Sequence, residues 1–262
     1  MEIKDYLTKY YENYDEDSRL LSRRGQIEYL TTMGYIQAYL QPGMKILEIG
    51  AGTGRYSLTL ASLGCEVTAV ELVPHNLEIL KSKITPDMKI TALEGNALNL
   101  NTLESESYDM TLVLGPMYHL YNEEDKRQTL SEAIRVTKPG GIVYVAYCIS
   151  EGSIISYGFQ RNNIMELISE VLLDLKTFDT TSRPQDLFEL VRKSDIDKLM
   201  EGFPTQRLHY VATDGLAYFM MKELNDMDED TFRIYLTYHL TVCENADLVG
   251  ATAHSLDVFR KM

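Results

Sequence analysis

One short stretch constrains the fold of this chain more than any other, the run Ile46-Leu-Glu-Ile-Gly-Ala-Gly-Thr-Gly-Arg-Tyr56. Its first residues are typical of a strand buried on both faces, and three glycines at alternate positions then lead into a helical segment. Because glycine has no Cβ, Gly50, Gly52 and Gly54 allow a tight turn in which the backbone approaches a ligand closely. The stretch therefore predicts a ligand loop where a strand of an open α/β sheet ends.

Short apolar runs alternate with longer amphipathic segments over about residues 45–149. This alternation predicts βαβ units, in which parallel strands are joined by crossover helices. The predicted strands are short and rich in branched residues: 45–49, 65–71, 89–93, 110–114 and 142–146. The predicted helices between them are 55–63, 76–84 and 123–137, and Asn122 followed by Asp125 is a start signal for the last.

The segments on either side of this core are predicted to be mostly helical. Tyr6, Tyr10 and Tyr14 recur every four residues in the first forty, where we expect two helices separated near Gly25. After the core, an amphipathic stripe is formed by Ile164, Leu167, Ile168, Val171, Leu172 and Leu175. The run Ser194 to Asp197 resembles a capping box that opens another helix. Strands at 207–212 and 254–259, separated by helical segments near 216–224 and 231–243, would complete a seven-stranded sheet.

The composition excludes several classes of protein. Of 262 residues, 45% are hydrophobic and 24% charged, as in a globular chain whose core needs no disulfides or metal. The net charge of −14 disfavours a nucleic-acid partner. Three cysteines without a Cys-x-x-Cys pair predict a reducing, cytoplasmic setting and no structural metal site. The longest strongly apolar run, 141–149, is too short to span a bilayer, and no export or membrane insertion is expected.

Two acidic residues define the chemistry expected at the glycine loop. Glu48 lies two residues before the first glycine, and Glu71 ends the second predicted strand, where a carboxylate can accept both hydroxyl hydrogens of a ribose. A dinucleotide loop instead spaces its glycines Gly-x-Gly-x-x-Gly and directs a helix N-terminus at a pyrophosphate. The spacing Gly-x-Gly-x-Gly after a carboxylate therefore favours a cationic nucleoside.

At this point the sequence resembles the class I S-adenosylmethionine-dependent methyltransferases, whose first motif is an acid, an apolar residue and Gly-x-Gly-x-Gly after strand one. The resemblance covers about residues 43–149. Glu71 matches the family's ribose-binding acid, Glu94 to Ala97 the adenine-contacting motif, Asp109 to Gly115 the fourth-strand motif, and Lys138 to Gly141 the turn before strand five. The family usually has Asp where this chain has Asn96, whose amide can still hydrogen-bond an adenine.

The resemblance implies a Rossmann-like α/β fold, a seven-stranded mostly parallel sheet with flanking helices, N-terminal helices and a helical insertion after strand five. It implies S-adenosylmethionine as cofactor and a small-molecule methyl acceptor. The cofactor residues that it implies are Glu48, Gly50, Ala51, Gly52, Gly54, Glu71, Leu72, Asn96, Ala97, Leu114 and Gly115. Arg24 is a further candidate, for the cofactor carboxylate, although paired arginines are usually solvated.

We expect a single domain over residues 1–262, in which four successive segments have different roles. Residues 1–40 are predicted to form a lid and 41–150 the cofactor-binding core. Residues 151–205 are predicted to form a helical insertion, and 206–262 to complete the sheet. The alternative for the tyrosines of the first segment and the stripe from Ile164 is ordinary packing.

The acceptor side is predicted where the fourth strand ends. His119 is a candidate general base or acceptor-orienting group, and Tyr118 is a candidate to orient the acceptor or to hydrogen-bond the cofactor. The alternative is that both pack a helix N-terminus. Near Tyr238 to Glu244, one His and one Cys make a poor metal motif, and core packing is the better interpretation. His75, His209 and His254 have no convincing partners in sequence.

Methylation of protein or RNA stays open on the sequence, although the acidic balance argues against RNA, and so do two other functions. A nicotinamide-dependent oxidoreductase is disfavoured by the glycine spacing and by Glu48. A non-catalytic module that binds the cofactor or a partner is also compatible, because a fold alone does not establish catalysis. The sequence leaves the acceptor, the methylated atom and the oligomeric state undetermined.

Overall fold

The sheet is built around parallel strands in the computed structural model, which describes residues 3–262. The strands are β1 (Lys45–Ile49), β2 (Glu66–Glu71), β3 (Ile90–Glu94), β4 (Tyr108–Val113), β5 (Thr137–Ile149), β6 (Leu190–Val191), β7 (Thr205–Ala212) and β8 (His254–Lys261). Their order is β3-β2-β1-β4-β5-β8-β7, with β8 antiparallel to both neighbours. The prediction of a seven-stranded, mostly parallel sheet is confirmed. Two-residue β6, which pairs with the end of β5, is an additional strand too short to predict from periodicity.

The helices cover both faces of this sheet. They are α1 (Ile3–Tyr11), α2 (Glu16–Arg19), α3 (Arg23–Gln37), α4 (Arg55–Ser62), α5 (Pro74–Lys83), α6 (Glu123–Val136), α7 (Ser150–Ser153), α8 (Ile164–Ser169), α9 (Lys193–Met200), α10 (Met221–Asp226) and α11 (Glu229–Val242). Side chains of a strand alternate between faces, so Leu47 packs with α6 and α9 while Ile46 packs with α3 and α4. The predicted start of α6 is confirmed, because the Asn122 side chain accepts a hydrogen bond from the Asp125 amide at 2.8 Å.

The strand order places a crevice above the centre of the sheet. β1 lies between β2 and β4. The chain therefore continues from β1 to β2 and β3 on one side of β1, and then crosses to β4 on the other side. In open α/β sheets, ligands bind outside the carboxyl ends of the strands at such a reversal. No helix among residues 3–262 is both long and apolar enough to cross a membrane.

The N-terminal helices are divided differently from the prediction. Gly25 lies inside α3, and the break falls at residues 20–22, where the Ser22 side chain caps α3 by accepting from the Gly25 amide. A Cβ on Gly25 would lie 2.4 Å from the Arg19 carbonyl oxygen. This glycine therefore permits close packing of α2 on α3 rather than ending a helix.

The prediction of a long amphipathic helix from Ile164 was wrong. Helix α8 ends at Ser169, Val171 adopts a left-handed φ of 58°, and the side chains of Val171 and Leu175 are exposed. The spacing of apolar residues continued past the backbone turn that ends the helix. The capping signal was also misplaced by two residues, because α9 begins at Lys193 and Asp195 caps it by accepting from the Arg192 amide.

The turn predicted before strand five lies within the strand. Thr137 already pairs with Tyr108, and Ile142 pairs with Met110, so residues 138–141 form an irregularity between the two paired positions. Gly140 has a φ of 78°, which accommodates the bend. β5 therefore begins five residues earlier than its apolar pattern indicated.

Candidate functional site

A cavity of about 980 Å³ lies at the carboxyl ends of the parallel strands. Its lining comes from the segments that follow β1, β2, β3 and β4, and also from the N-terminal helices, the insertion and the start of β8. The predicted site residues that line it are Arg24, Gly50, Gly52, Glu71, Leu72, Asn96, Ala97, Leu114, Gly115, Tyr118 and His119. Most residues chosen from the sequence are thus brought to one place.

The glycine loop forms the floor of the cavity. Gly50, Gly52 and Gly54 have φ values of 76°, 54° and 89°, in the left-handed region that favours glycine. A Cβ on Gly50 would lie 2.6 Å from the Pro116 side chain, and one on Gly54 would lie 2.2 Å from the Leu80 side chain. The loop is therefore held tightly between the turn after β4 and helix α5.

Glu71 joins the glycine loop to the end of β2. One carboxylate oxygen accepts from the Gly52 amide and the other from the Val73 amide, each at 2.8 Å. Burial raises the pKa of the Glu71 carboxyl, and the backbone amides that it accepts from lower it. Each oxygen retains a lone pair, so this side chain can also accept from ligand hydroxyls at the cavity wall.

Glu48 and two residues of the loop itself, Ala51 and Gly54, do not line the cavity. Glu48 is 1% exposed and accepts a hydrogen bond from the Ser57 hydroxyl in α4. Burial raises the pKa of Glu48 to about 8, so the carboxyl is largely protonated at neutral pH. The hydrogen bond to Ser57 ties α4 to β1 beneath the loop. The buried surroundings of Glu48 disfavour a fixed negative charge facing the ligand.

The wall beyond β2 and β3 contains a polar residue that the sequence analysis missed. Asn76, in the first turn of α5, lines the cavity and is 3% exposed. Its side-chain oxygen is buried and has no hydrogen-bond partner among residues 3–262. Asn96 differs, because its side-chain oxygen accepts from the Leu98 amide at 3.0 Å. A buried acceptor left unpaired is costly, so the Asn76 oxygen fits a ligand that donates a hydrogen bond.

Two arginines from the N-terminal segment line the cavity, with different partners. Arg19 binds both carboxylate oxygens of Glu28, at 2.9 and 3.0 Å, and also Glu16 at 3.0 Å. Arg24 lies over the Tyr218 ring, 4.8 Å from its centroid, and has no carboxylate partner within the described part of the chain. Arg24 is therefore the guanidinium of this pair that remains available to an anionic group.

His119 lies in the turn Pro116–His119, directly after β4. Its Nδ1 donates to the Leu187 carbonyl oxygen at 2.7 Å, which leaves the lone pair on Nε2, and the Tyr11 hydroxyl donates to Nε2 at 3.1 Å. Burial lowers the pKa of His119 to about 4, although the bond to Leu187 opposes that change. The imidazole is therefore neutral at pH 7 and a weak base.

Aromatic side chains from α1 and the insertion close the cavity on the side of His119. Tyr10 stacks on Tyr14 with ring centroids 5.0 Å apart and meets Phe188 edge-on at 6.1 Å. At the start of α1, Lys4 pairs with Glu94 at the end of β3, at 3.0 Å. The N-terminal segment thus packs over the carboxyl edge of the sheet.

His254 also lines the cavity, although the sequence offered no partner for it. Its Nδ1 donates to Asp214 at 2.8 Å, and Asp214 also accepts from the Thr252 hydroxyl and two backbone amides. The ligand atoms of Glu28, Asp214 and His254 lie within 4.8 Å of one another, as in a metal site. Here, however, Arg19 and the His254 imidazolium already supply the positive charges that the two carboxylates need.

Comparison with known proteins places residues 46–141 in a family described as a methyltransferase domain. A demethylmenaquinone methyltransferase from Clavibacter sepedonicus is 30% identical over 103 residues, which are 39% of this chain and 40% of that protein. A ubiquinone biosynthesis O-methyltransferase from Methylocella silvestris is 30% identical over 132 residues, 48% of each chain. The chain thus spans less than half the length of these curated relatives.

The likeness in fold extends over the whole chain. A solved S-adenosylmethionine-dependent methyltransferase from Thermotoga maritima superimposes with a TM-score of 0.57 and 17% identity, covering 100% of both chains. At this identity the superposition establishes the fold alone, whereas the family match establishes the domain that carries the glycine loop. On these grounds residues 46–141 form a methyltransferase domain, and the chain as a whole has the fold of a solved S-adenosylmethionine-dependent methyltransferase.

Proposed function

We propose that the protein transfers a methyl group from S-adenosylmethionine to a small-molecule acceptor within this cavity. The observation that carries the proposal is that the glycine loop, Glu71 and the wall containing Tyr118, His119 and His254 line the same cavity. Ligand pockets typically measure about 300–1,000 Å³, so a cavity at the upper end of that range accommodates a nucleoside cofactor and a small acceptor together. The net charge of −14 supports a small molecule over a nucleic acid.

The residues present fit this cofactor. Glu71 is proposed to accept from the ribose hydroxyls, and Leu72, Asn96 and Ala97 to surround the adenine, with the unpaired Asn76 oxygen as a further acceptor. Gly50, Gly52, Leu114 and Gly115 are proposed to line its path between β1 and β4, and Arg24 to bind its carboxylate. Ala51 and Gly54 are proposed to shape the loop itself, and Glu48 to support it from behind.

The chain's own contribution to methyl transfer is proposed to be alignment and exclusion of water. When bound, S-adenosylmethionine supplies a methyl group already activated by its positive sulfur, so no protein nucleophile is required. The low pKa of His119 and its bond from Tyr11 favour an acceptor-orienting role over a general base. The pKa of Tyr118 is raised well above its usual value by burial, so this residue contributes a neutral hydroxyl.

Residues 1–40 are proposed to form a lid, with 41–150 as the cofactor-binding core, 151–205 as the insertion that covers the acceptor, and 206–262 as the completion of the sheet. The contacts of α1 with β3 and His119 support the lid. Met1 and Glu2 lie outside the described residues. Closure by such a segment would shield the reacting groups from water.

The proposal is tested by following a labelled methyl group. The protein is incubated with methyl-labelled S-adenosylmethionine and a bacterial cell extract separated into small-molecule and macromolecular fractions. We expect label in the small-molecule fraction, with equimolar S-adenosylhomocysteine, and loss of both in Glu71→Ala. Label confined to protein or RNA would contradict a small acceptor. No transfer to either fraction by protein that binds S-adenosylhomocysteine would favour a non-catalytic module.

A further inference from the structure

The wall around His254 takes no part in the proposed cofactor site. We propose that it is an anion-binding subsite, formed by His254 and Arg161, and that the methyl acceptor carries a carboxylate or a similar anionic oxygen that binds there. This assignment rests on the proposed function, because it takes the cavity to hold an acceptor. It adds the chemical class of that acceptor.

His254 is fixed so that one edge of its ring faces the cavity. Its Nδ1 is engaged by Asp214, which is fully buried and lies outside the cavity lining. The His254 side chain keeps 16% of its surface exposed and itself lines the cavity. The ring edge that carries Nε2 is therefore the edge available to a ligand. The rings of Tyr118 and Tyr218 flank it, with centroids 5.9 and 6.1 Å away.

The neighbours of His254 keep its ring protonated. Burial alone would lower the pKa of His254, but the charges of Glu28 and Asp214 raise it well above its usual value. Burial alone would raise the pKa of Asp214, but the charge of His254 and several hydrogen bonds lower it to about 2. The Asp214 carboxylate therefore keeps its negative charge. Cys148 is the other polar neighbour of the ring, and a thiol is a weak partner that an anionic oxygen can displace.

Arg161 brings a second positive charge to the same cavity. It follows the π-helical segment Ile154–Gln160, which packs on the turn containing Tyr218 through a bond from the Gln160 side chain to the Phe219 carbonyl oxygen at 3.3 Å. Arg161 lines the cavity and is exposed, and its guanidinium has no ion-pair partner within residues 3–262.

The acidic side chains that line the cavity are already engaged elsewhere. Glu16 is paired with Arg19, Glu71 accepts from backbone amides, and Asp125 accepts from the Asn122 side chain. Nothing among the described lining residues therefore neutralises Arg161. An imidazolium and a guanidinium form strong charge-assisted bonds with a carboxylate, which a neutral amide of the same shape does not match.

The test compares benzoate with benzamide, which have similar shapes and differ in charge. Each is titrated by calorimetry into protein saturated with S-adenosylhomocysteine, so that Arg24 and the cofactor end are occupied. We expect benzoate to bind about tenfold more tightly or better, as a charge-assisted bond predicts. In His254→Gln and Arg161→Gln we expect this preference to shrink. Lys222→Gln, which changes an exposed lysine away from the cavity, is expected to retain it.

Each outcome is decisive for one of the two proposals. Equal binding of the two probes by the S-adenosylhomocysteine complex, or an undiminished preference in Arg161→Gln and His254→Gln, would overturn the anion subsite and leave the proposed function intact. Arg161 is exposed, so its variant tests the subsite even where His254→Gln fails to fold. Failure of S-adenosylhomocysteine itself to bind would instead overturn the proposed function.

Discussion

The two ends of the cavity are constructed in different ways. The end near β1 and β2 is made largely of backbone, with glycines in left-handed conformations and amide groups bound by Glu71. At the other end the lining side chain His254 is held by Glu28 and Asp214, which lie behind the lining on segments far apart in sequence. The first end depends on backbone shape, and the second depends on buried charges that must stay paired.

The largest effect is expected at the charged end, from Asp214→Ala. This change leaves His254, the Thr252 hydroxyl and two amides without their acceptor, and breaking a buried ion pair costs about 3–5 kcal/mol. Urea unfolding measures the loss. Asp226→Ala removes an exposed carboxylate paired with Lys222 and is expected to cost less than about 0.5 kcal/mol. Equal losses in the two variants would show that the buried pairing contributes nothing.

At the backbone end, Glu48 predicts a dependence of stability on pH. Its pKa rises from 4.5 to about 8 on folding, so its contribution is fully present below pH 4.5 and is lost as the pH rises through 8. Between these values the slope approaches about 1.4 kcal/mol per pH unit. Glu48→Gln removes the titration, and its free energy of unfolding is expected to change less between pH 6 and pH 8. Parallel curves for the two proteins would be evidence against a protonated Glu48.

Gly50→Ala tests the backbone end directly. The added Cβ would lie 2.6 Å from Pro116 in a residue with φ of 76°, so we expect affinity for S-adenosylhomocysteine to fall about tenfold, or ~1.4 kcal/mol. Gly43→Ala is the matched control, because Gly43 has φ of 83° and nothing within 4 Å of an added Cβ. Both variants lose some stability, but only the first is expected to lose affinity in calorimetry.

The smallest effect is expected from Tyr11→Phe, which removes the hydroxyl bound to His119 Nε2. A hydrogen bond of this kind is worth about 0.5–1.5 kcal/mol, so we expect faster amide hydrogen exchange in α1. Tyr14→Phe serves for comparison, because Tyr14 is 37% exposed and its hydroxyl has no hydrogen-bond partner within the described part of the chain. Unchanged exchange in Tyr11→Phe would show that the hydrogen bond from Tyr11 to His119 does not hold α1 in place.

The same contrast explains how much the sequence predicted. The parallel sheet, the loop at Gly50 to Gly54 and the position of Glu71 follow from local patterns, because strand, turn and helix are adjacent in the chain. The sequence gives no sign that Glu28 on α3 and Asp214 after β7 meet at His254, since only the tertiary fold brings them together. No pattern in the sequence singled out Asn76 as a site residue. The helix predicted beyond Ser169 was wrong because the apolar spacing continues in the sequence after the helix has ended.

The measurement that tests the central claim most directly is a calorimetric titration of the protein with S-adenosylhomocysteine, with NAD as the comparison. We predict saturable binding of S-adenosylhomocysteine, at least about tenfold weaker in Glu71→Ala, in which the Gly52 amide of the loop loses its acceptor. Glu66→Ala, at the opposite, exposed end of β2, is predicted to bind like the unmodified protein. Absence of binding by folded protein, or tighter binding of NAD, would contradict the central claim.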